Sequence, residues 1–524
     1  MKKDSLQIKL ALFLLLLTAF WLRYRGIRFG FPLITHPDEP IIVKRALHMI
    51  KTNSLDPHFF KAPGLELNVY PSLYIYLQAL LFIILLLSGK IFAFFGGLTS
   101  IELTSFYYWG RLLTIFFSVG TIYTTYCCAK SLFNERIGLI SALLLVFSQL
   151  HVTNSFTITV DSPMAFWVMA AFLMSCLHFT RGSALKYYLF NALFIGFAIG
   201  TKYTAFLCVL PLLYVHFQEH SFAPKKALDP RLLITLGLIL FVFLLTTPYL
   251  ILDYPHFKQA LTFISNHYQR GHAGAEGKYN SYAFYALSLV KQYGLIPLLL
   301  SGFGMSLIFM RDRNRAFLII LFPLTYYLFV GRYRVRFERN IVTLLPFLAI
   351  LSAYALVSCR EWIQQRKQTP AWLGYLPLGL LLIALLGQLQ PTWAYLNQVR
   401  LTDTRIVAQR WIEQNLPKQV KIAREHYTPP LDRQRFTIDF LDYYGLIKVN
   451  LAPYDYLIAS SYDYDRFFKD KKRYQAQVFR YQQIFSSYEL VQEITADNLK
   501  TSGPTIKILK KPDFDHLEPT NKLK

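Results

Sequence analysis

Apolar runs approaching the ~20 residues that a helix needs to cross a ~30 Å hydrocarbon core recur from the N-terminus to about residue 390. This pattern excludes a soluble globular chain. In lipid the backbone finds no water for its N–H and C=O groups, so each run is expected to be helical. Composition agrees: of 524 residues, 54% are hydrophobic and 16% aromatic, with a mean hydropathy of +0.32, too apolar for a soluble enzyme of this size. Lys2, Lys3 and Lys9 precede the first run without a small-residue cleavage site after it, so the first helix is expected to remain. Trp21-Leu22-Arg23-Tyr24 reads as an interface anchor. The formal charge of +24 does not point to nucleic acid, because Lys and Arg are scattered among short loops. The positive-inside rule and anionic lipids account for them. Cys127, Cys128, Cys176, Cys208 and Cys359 lie in or at the end of apolar spans and imply no disulfide framework.

The fold class expected is a polytopic α-helical membrane protein with about eleven spans. They fall near residues 6–22, 106–129, 137–151, 163–179, 187–200, 203–217, 232–252, 293–310, 316–331, 341–358 and 371–390. Segment 71–97 is apolar enough to be another. Loop charge argues against that: Lys130 and Arg136; Arg181 and Lys186; Lys225, Lys226 and Arg231; Arg311, Arg313 and Arg315; and Arg360, Arg366 and Lys367 fall in alternate connections. These form a cytoplasmic set. With the N-terminal lysines inside, the parity holds only if 71–97 stays at the outer face, as juxtamembrane helices broken near Ser88-Gly89-Lys90. A shared outer face then holds the first loop (23–105), Asp161, Lys202, the loop 253–285, the arginine-rich segment 331–340 and everything after 391. Residues 1–391 are expected to form the membrane domain. Residues 392–524 are expected to form a small extracytoplasmic α/β domain with a polar tail, with a helix ending near Asn415-Leu416-Pro417, strands at "YDYLIAS" and "TIKILKK", and a helical stretch "RFFKDKKRYQAQVFRYQQIF".

On that face, "ITHPDEP" sets His36, Asp38 and Glu39 just after the first span. Helix capping explains either acid alone. A second acid, Asp161 in "TITVDSPMAF", again starts a span, and carboxylates brought to one face can take the proton of an attacking hydroxyl. No close His/Asp/Glu ligand spacing supports a divalent metal, and no cofactor is required. Lys202 in "GTKYTAF" lies between short apolar runs, which makes it a functional candidate, with snorkelling to water as its alternative. Arg332, Arg334, Arg336 and Arg339 in "GRYRVRFERN" cluster against the positive-inside trend, and guanidinium groups clamp phosphate through paired N–H donors. His267, Arg270 and His272 in "SNHYQRGHAG" have the composition of a mobile lid, or simply of a solvated loop. Carboxylates for an acceptor and cations for a phosphate together suit a lipid-linked phosphate whose headgroup is transferred at the interface.

These segments, in order, resemble the polyprenyl-phosphate-sugar-dependent glycosyltransferases of the C superfamily, which include protein O-mannosyltransferases and the lipid A aminoarabinose transferase. The resemblance is carried by "HPDE", "YPSLYIYLQALL", "GRLLTIFFSVGTIYTTYCCAKSLFNERIGLISALLLVFSQL", "DSPMAFW", "GTKYTAFL" and "RNIVTLLPFLA". It implies a catalytic base at Asp38, support from Glu39 and Asp161, and a lipid phosphate held by Lys202 and by arginines ending at Arg339, Arg336 among them. It also implies that no nucleotide sugar is needed. The family's Pro-Pro-Leu segment is often preceded by a phosphate-binding lysine. Here the run is Tyr70-Pro71-Ser72-Leu73, and Lys61 or Lys202 is the expected substitute.

The function expected is thus an inverting membrane glycosyltransferase of a bacterial inner membrane, taking its sugar from a polyprenyl-phosphate donor. The acceptor is a hydroxyl of a protein, lipid or glycan on the extracytoplasmic side. A polysaccharide polymerase or ligase using a diphosphate-linked donor is the alternative enzyme. A lipid-sugar flippase is the non-enzymatic one, although a transporter places its ionisable groups near the midplane and often shows repeated halves.

Overall fold

Helix formation follows the apolar runs. The computed structural model describes residues 2–58, 69–94, 102–270, 274, 280–366, 370–441 and 445–512. Its helical part comprises α1 (Lys2–Tyr24), α2 (Glu39–Thr52), α3 (Leu73–Phe94), α4 (Leu103–Leu132), α5 (Glu135–Phe147), α6 (Gln149–Thr153), α7 (Asp161–Arg181), α8 (Leu185–Thr201), α9 (Val209–Glu219), α10 (Pro230–Thr246), α11 (Tyr249–Leu252), α12 (Tyr254–Arg270), α13 (Ser281–Gln292), α14 (Leu295–Arg311), α15 (Arg313–Gly331), α16 (Leu345–Gln365) and α17 (Leu376–Gln398). Where connections are short, Asn134, Asp229, Asn280 and Asp312 start α5, α10, α13 and α15 by accepting a backbone N–H that the first turn leaves unpaired.

Among the described residues, 7 helices are long and apolar enough to cross a membrane, or up to 8 if a pair bent by 112° counts as one span. That is fewer than the expected eleven. The expected span 203–217 is split into a 3-10 turn (Tyr203–Cys208) and the 11-residue α9, about 16 Å long. The expected spans 137–151, 187–200 and 232–252 are also short, α5 having 13 residues and α8 and α10 17 each. The bent pair is α13 and α14, which meet at Gly294, whose φ of 101° favours glycine. The break expected near Ser88-Gly89-Lys90 is not there. α3 runs unbroken from Leu73 to Phe94, because the apolar residues on both sides sustain the helix through a single glycine.

The centre of the bundle is the stretch Glu338–Gln365, 94% of whose most apolar window is buried, against 17% for α1 and for the α17 stretch. α14 packs closely on it. A Cβ added at Gly304 would lie 2.0 Å from the Leu351 carbonyl oxygen, so only glycine allows this approach. Ser301 and Ser352 hydrogen bond across the same seam at 2.9 Å. Arg23 is not an interface anchor. It is fully buried and binds Ser118 Oγ at 2.8 Å, the Ala19 carbonyl at 3.0 Å and His151 Nδ1 at 2.8 Å.

The contacts divide the chain into two units, one ending at Leu396 and the other beginning at Asn397, with Phe29–Thr35 belonging to the second. The second unit has α18 (Thr404–Asn415), α19 (Ser461–Phe468) and α20 (Gln475–Ser487), with strands β1 (Thr402–Asp403), β2 (Lys421–Arg424), β3 (Thr437–Phe440), β4 (Tyr456–Ser460), β5 (Glu489–Ile494), β6 (Thr501–Ser502) and β7 (Ile506–Lys510). β1 and β6 form a small parallel pair, and the main sheet has the order β3-β2-β4-β7-β5. Its β3-β2-β4 part is parallel, and β7 runs antiparallel to β4 and β5. The period of two sorts the side chains between two cores. Ile422, Ile458 and Ile508 pack with Ala408 and Ile412 of α18. Ala423, Leu457 and Leu509 pack with Phe467 of α19 and Tyr481 of α20. The helix at 404–415 and the strands within "YDYLIAS" and "TIKILKK" form as expected, and the helical stretch divides into two helices at residues 469–474.

The second core hides a carboxyl. Glu425 is 1% exposed, accepts hydrogen bonds from Ser460 N and the Tyr481 hydroxyl, and sits beside Asp463. Burial first, then Asp463, pushes its pKa up to about 8. Between its ordinary range and that value the folded unit holds a proton that the unfolded chain has released, so stability falls as pH rises through this window. Protection of the β4 amides, corrected for intrinsic exchange rates, is expected to drop at least ~10-fold between pH 5 and 8.5. In Glu425→Gln this drop should vanish.

Candidate functional site

Helix ends bring the charged residues together. Asp161 is the first residue of α7, Asp38 immediately precedes α2, and Lys202 immediately follows α8. Carboxylates are favoured at helix N-termini and cations at C-termini, so each charge lies where the local backbone field stabilises it. Arg339 and Asn340 come from the 3-10 turn Glu338–Leu344 that leads into α16.

Charges of alternating sign form a continuous chain. Asp38 Oδ2 lies 2.9 Å from Arg339 Nη1, and Arg339 Nε lies 3.7 Å from Asp161 Oδ2. Lys202 Nζ donates to Asp161 Oδ1 at 2.7 Å and to Asn340 Oδ1 at 3.1 Å, and Asn340 Nδ2 donates to the Tyr285 hydroxyl at 3.0 Å. The side chains of Asp161 and Lys202 are 5% and 13% exposed, so Lys202 is paired rather than snorkelling to water. Asp38 and Arg339 keep 17% and 26% of their side chains in solvent, which leaves this end of the chain approachable.

Asp38 does not cap α2 with its side chain, despite its position. Glu39, expected to cap or to assist at the site, does neither with its carboxylate. Its oxygens take Arg111 Nε at 2.7 Å and Nη2 at 2.6 Å, and Oε1 also accepts Ile158 N at 3.0 Å. Arg111 Nη1 donates to the Ile27 carbonyl at 2.8 Å, and both side chains are wholly buried. This bidentate pair ties the stretch after α1, the start of α2, α4 and the segment before α7 to one another, and thereby fixes where Asp38 stands.

His36 Nδ1 accepts the Asp38 N–H at 3.3 Å, which orients the ring. Burial outweighs the neighbouring carboxylates and lowers its pKa, keeping the imidazole neutral near pH 7. Tyr70 is within electrostatic range of Asp38, Arg339 and Asp161, and its burial raises the phenol pKa. His267 instead stacks on Phe263 of its own helix, with ring centroids 6.4 Å apart. Arg336 is buried with its guanidinium 5.2 Å from the Phe284 ring centroid, and Arg332 lies over Phe329. Of the four clustered arginines, Arg339 is the one placed against both site carboxylates. Lys61 and His272 lie outside the described residues, as does the side chain of Arg270.

Asn340, Tyr285, Arg111 and Tyr268 were not singled out from the sequence. Tyr268 is within electrostatic range of Lys202, Arg339 and Tyr70, and its carbonyl accepts the N–H groups of Arg334 and Val335 at 3.1 and 3.3 Å. Asn340, Arg111 and Tyr268 lay inside quoted segments, "RNIVTLLPFLA", "GRLL" and "SNHYQRGHAG", whereas no pattern marked Tyr285.

Residues 98–251 match the family model described as dolichyl-phosphate-mannose-protein mannosyltransferase. The chain is similar in structure to ArnT from Cupriavidus metallidurans in the apo state, with a TM-score of 0.57 and 14% identity over 94% of this chain and 97% of that one. It is also similar to ArnT from the same organism bound to undecaprenyl phosphate, with a TM-score of 0.53 and 13% identity over the same shares of both chains. A third likeness is to the Archaeoglobus fulgidus oligosaccharyltransferase AglB in complex with an inhibitory peptide and a dolichol-phosphate, with a TM-score of 0.56 and 13% identity over 90% of this chain and 72% of that one. No curated protein matches the chain in sequence. The chain is an integral, multi-pass membrane protein, and it shares the fold of these solved structures along most of its length.

Proposed function

We propose that this membrane glycosyltransferase transfers a sugar from a polyprenyl-phosphate carrier to an acceptor hydroxyl at the extracytoplasmic face of a bacterial inner membrane. The reading is carried by one observation: Arg339 and Lys202 are both held by Asp161, next to the partly exposed Asp38. A phosphate needs such paired cations, and an attacking hydroxyl needs such a carboxylate. Undecaprenyl phosphate in ArnT and dolichol-phosphate in AglB support a carrier of this class.

In this scheme the acceptor O–H lies against Asp38. Its oxygen attacks the anomeric carbon as the proton passes to the Asp38 carboxylate. The bond from that carbon to the phosphate oxygen breaks, and polyprenyl phosphate leaves as an anion stabilised by Arg339 and Lys202. One displacement without a covalent intermediate inverts the anomeric configuration. Asp161 keeps both cations in place, and His36 orients the approach to Asp38. Glu39 takes no part in the step and holds the scaffold through Arg111. No nucleotide sugar and no catalytic metal enters this scheme. A flippase fits less well, because the ion-paired residues gather at helix ends rather than in broken helices at the midplane.

Three outcomes are expected. Asp38→Asn should lower kcat about 10²- to 10⁴-fold in transfer from labelled polyprenyl-phosphate sugar, with donor KM nearly unchanged; wild-type turnover would remove Asp38 from the mechanism. Lys202→Ala and Arg339→Ala should each raise donor KM and cut kcat by about 10²-fold or more. Glu39→Ala, in contrast, should lower stability by about 3–5 kcal/mol, because it leaves Arg111 buried and unpaired. Thermal unfolding in detergent separates this from the Asp38 variant, which should melt close to wild type.

A further inference from the structure

A second cluster of donors lies between the loop after α2 and the start of α12. Asp56, His58 and Asp253 each offer one ligand atom, and these atoms all fall within 4.8 Å of one another. His58 Nδ1 is 3.5 Å from Asp56 Oδ1 and 3.7 Å from Asp253 Oδ2, and its side chain is only 5% exposed. Among the described residues this buried nitrogen has no hydrogen-bond partner, although two carboxylates face it. A hydrogen bond would draw it to about 3 Å. The separations observed are instead close to the edge, about 3.4 Å, of a tetrahedron with ligands 2.0–2.1 Å from its centre.

The surroundings hold the donors in place. Asp56 Oδ1 accepts the His58 backbone N–H at 2.8 Å, and Ser54 Oγ accepts the Asp56 N–H at 3.2 Å. Asp253 meets His256 Nδ1 with both oxygens at 2.8 Å, and the His256 ring stacks on that of His58 with centroids 6.1 Å apart. Two carboxylates with one imidazole, and a second imidazole beside them, suit a first-row divalent ion such as zinc. The set has too few oxygens for calcium, which takes 6–8.

We infer that Asp56, His58 and Asp253 bind a divalent transition-metal ion, with His256 or water as fourth ligand, and that this ion braces the loop after α2 against α12. The two halves are some 200 residues apart in sequence, with Asp56 and His58 two positions apart in one and Asp253 and His256 three apart in the other. The brace reaches toward the site along α12, whose far end carries Tyr268, and the Tyr268 carbonyl holds Arg334 and Val335. Its role is positional, and the ion takes no part in sugar transfer.

The test uses the full-length, tag-free protein in detergent, loaded with zinc and desalted. Metal analysis should find about one zinc per chain, and chelation should lower the unfolding temperature, with zinc restoring it. His58→Ala and Asp253→Asn should each lose the bound zinc and the response to chelator, while Asp38→Asn should keep both. Less than about a tenth of a zinc per wild-type chain overturns the inference. So does full retention in His58→Ala and Asp253→Asn, or loss in Asp38→Asn, which would place the ion at the other carboxylates. Asp253→Asn covers the case in which His58→Ala does not fold.

Discussion

The alternating chain from Asp38 through Arg339 and Asp161 to Lys202 is the constraint on which the rest of this structure turns. Four charges at one end of an apolar bundle are costly unless each meets an opposite partner. Here each does, and the helix termini add their own field: the two acids lie at N-terminal ends and the lysine follows a C-terminal one. In the function proposed, the same balance prepares the site for an anion. A phosphate arriving beside Arg339 and Lys202 meets cations already positioned, so little reorganisation accompanies its binding.

What holds this arrangement is a different ion pair. Glu39 and Arg111 are completely buried, with both guanidinium donors and the carboxylate satisfied, and they bind to Ile27 and Ile158 as well. Neighbouring acids in one tetrapeptide thus have separate tasks. Asp38 keeps a minor part of its side chain in solvent, and Glu39 locks the backbone behind it. The seam between α14 and α16, closed by Gly304, fixes the central helix from whose entry turn Arg339 and Asn340 project.

Much of this was legible in the sequence, and the limits are physical. Charge at the edges of apolar runs marked Asp38, Asp161, Lys202 and Arg339, because ionisable residues there are costly and stand out. Their pairing was not legible, since it depends on helix ends far apart in sequence, 41 residues for Asp161 and Lys202 and about 300 for Asp38 and Arg339. Hydropathy overcounted the spans for a related reason: it cannot tell a helix long enough to cross from a short one buried among others, as with α5 and α9. In the second unit α18 stood out as an amphipathic helix, and β4 and β7 as apolar strands. β3 and β5 escaped because edge strands are buried less completely and alternate weakly. Tyr268 escaped because its segment reads as a loop, with attention drawn to the flanking His267 and Arg270, whereas it ends α12 and its carbonyl holds the arginine segment.

The central claim is that the cations of this chain receive the lipid phosphate while Asp38 faces the acceptor. A structure of the full-length protein with bound polyprenyl phosphate tests it most directly. The account predicts phosphate oxygens within about 3 Å of both Arg339 and Lys202, with the Asp38 carboxylate beside the vacated sugar position. A phosphate bound elsewhere, with the ion pairs from Asp38 to Lys202 undisturbed, would contradict it.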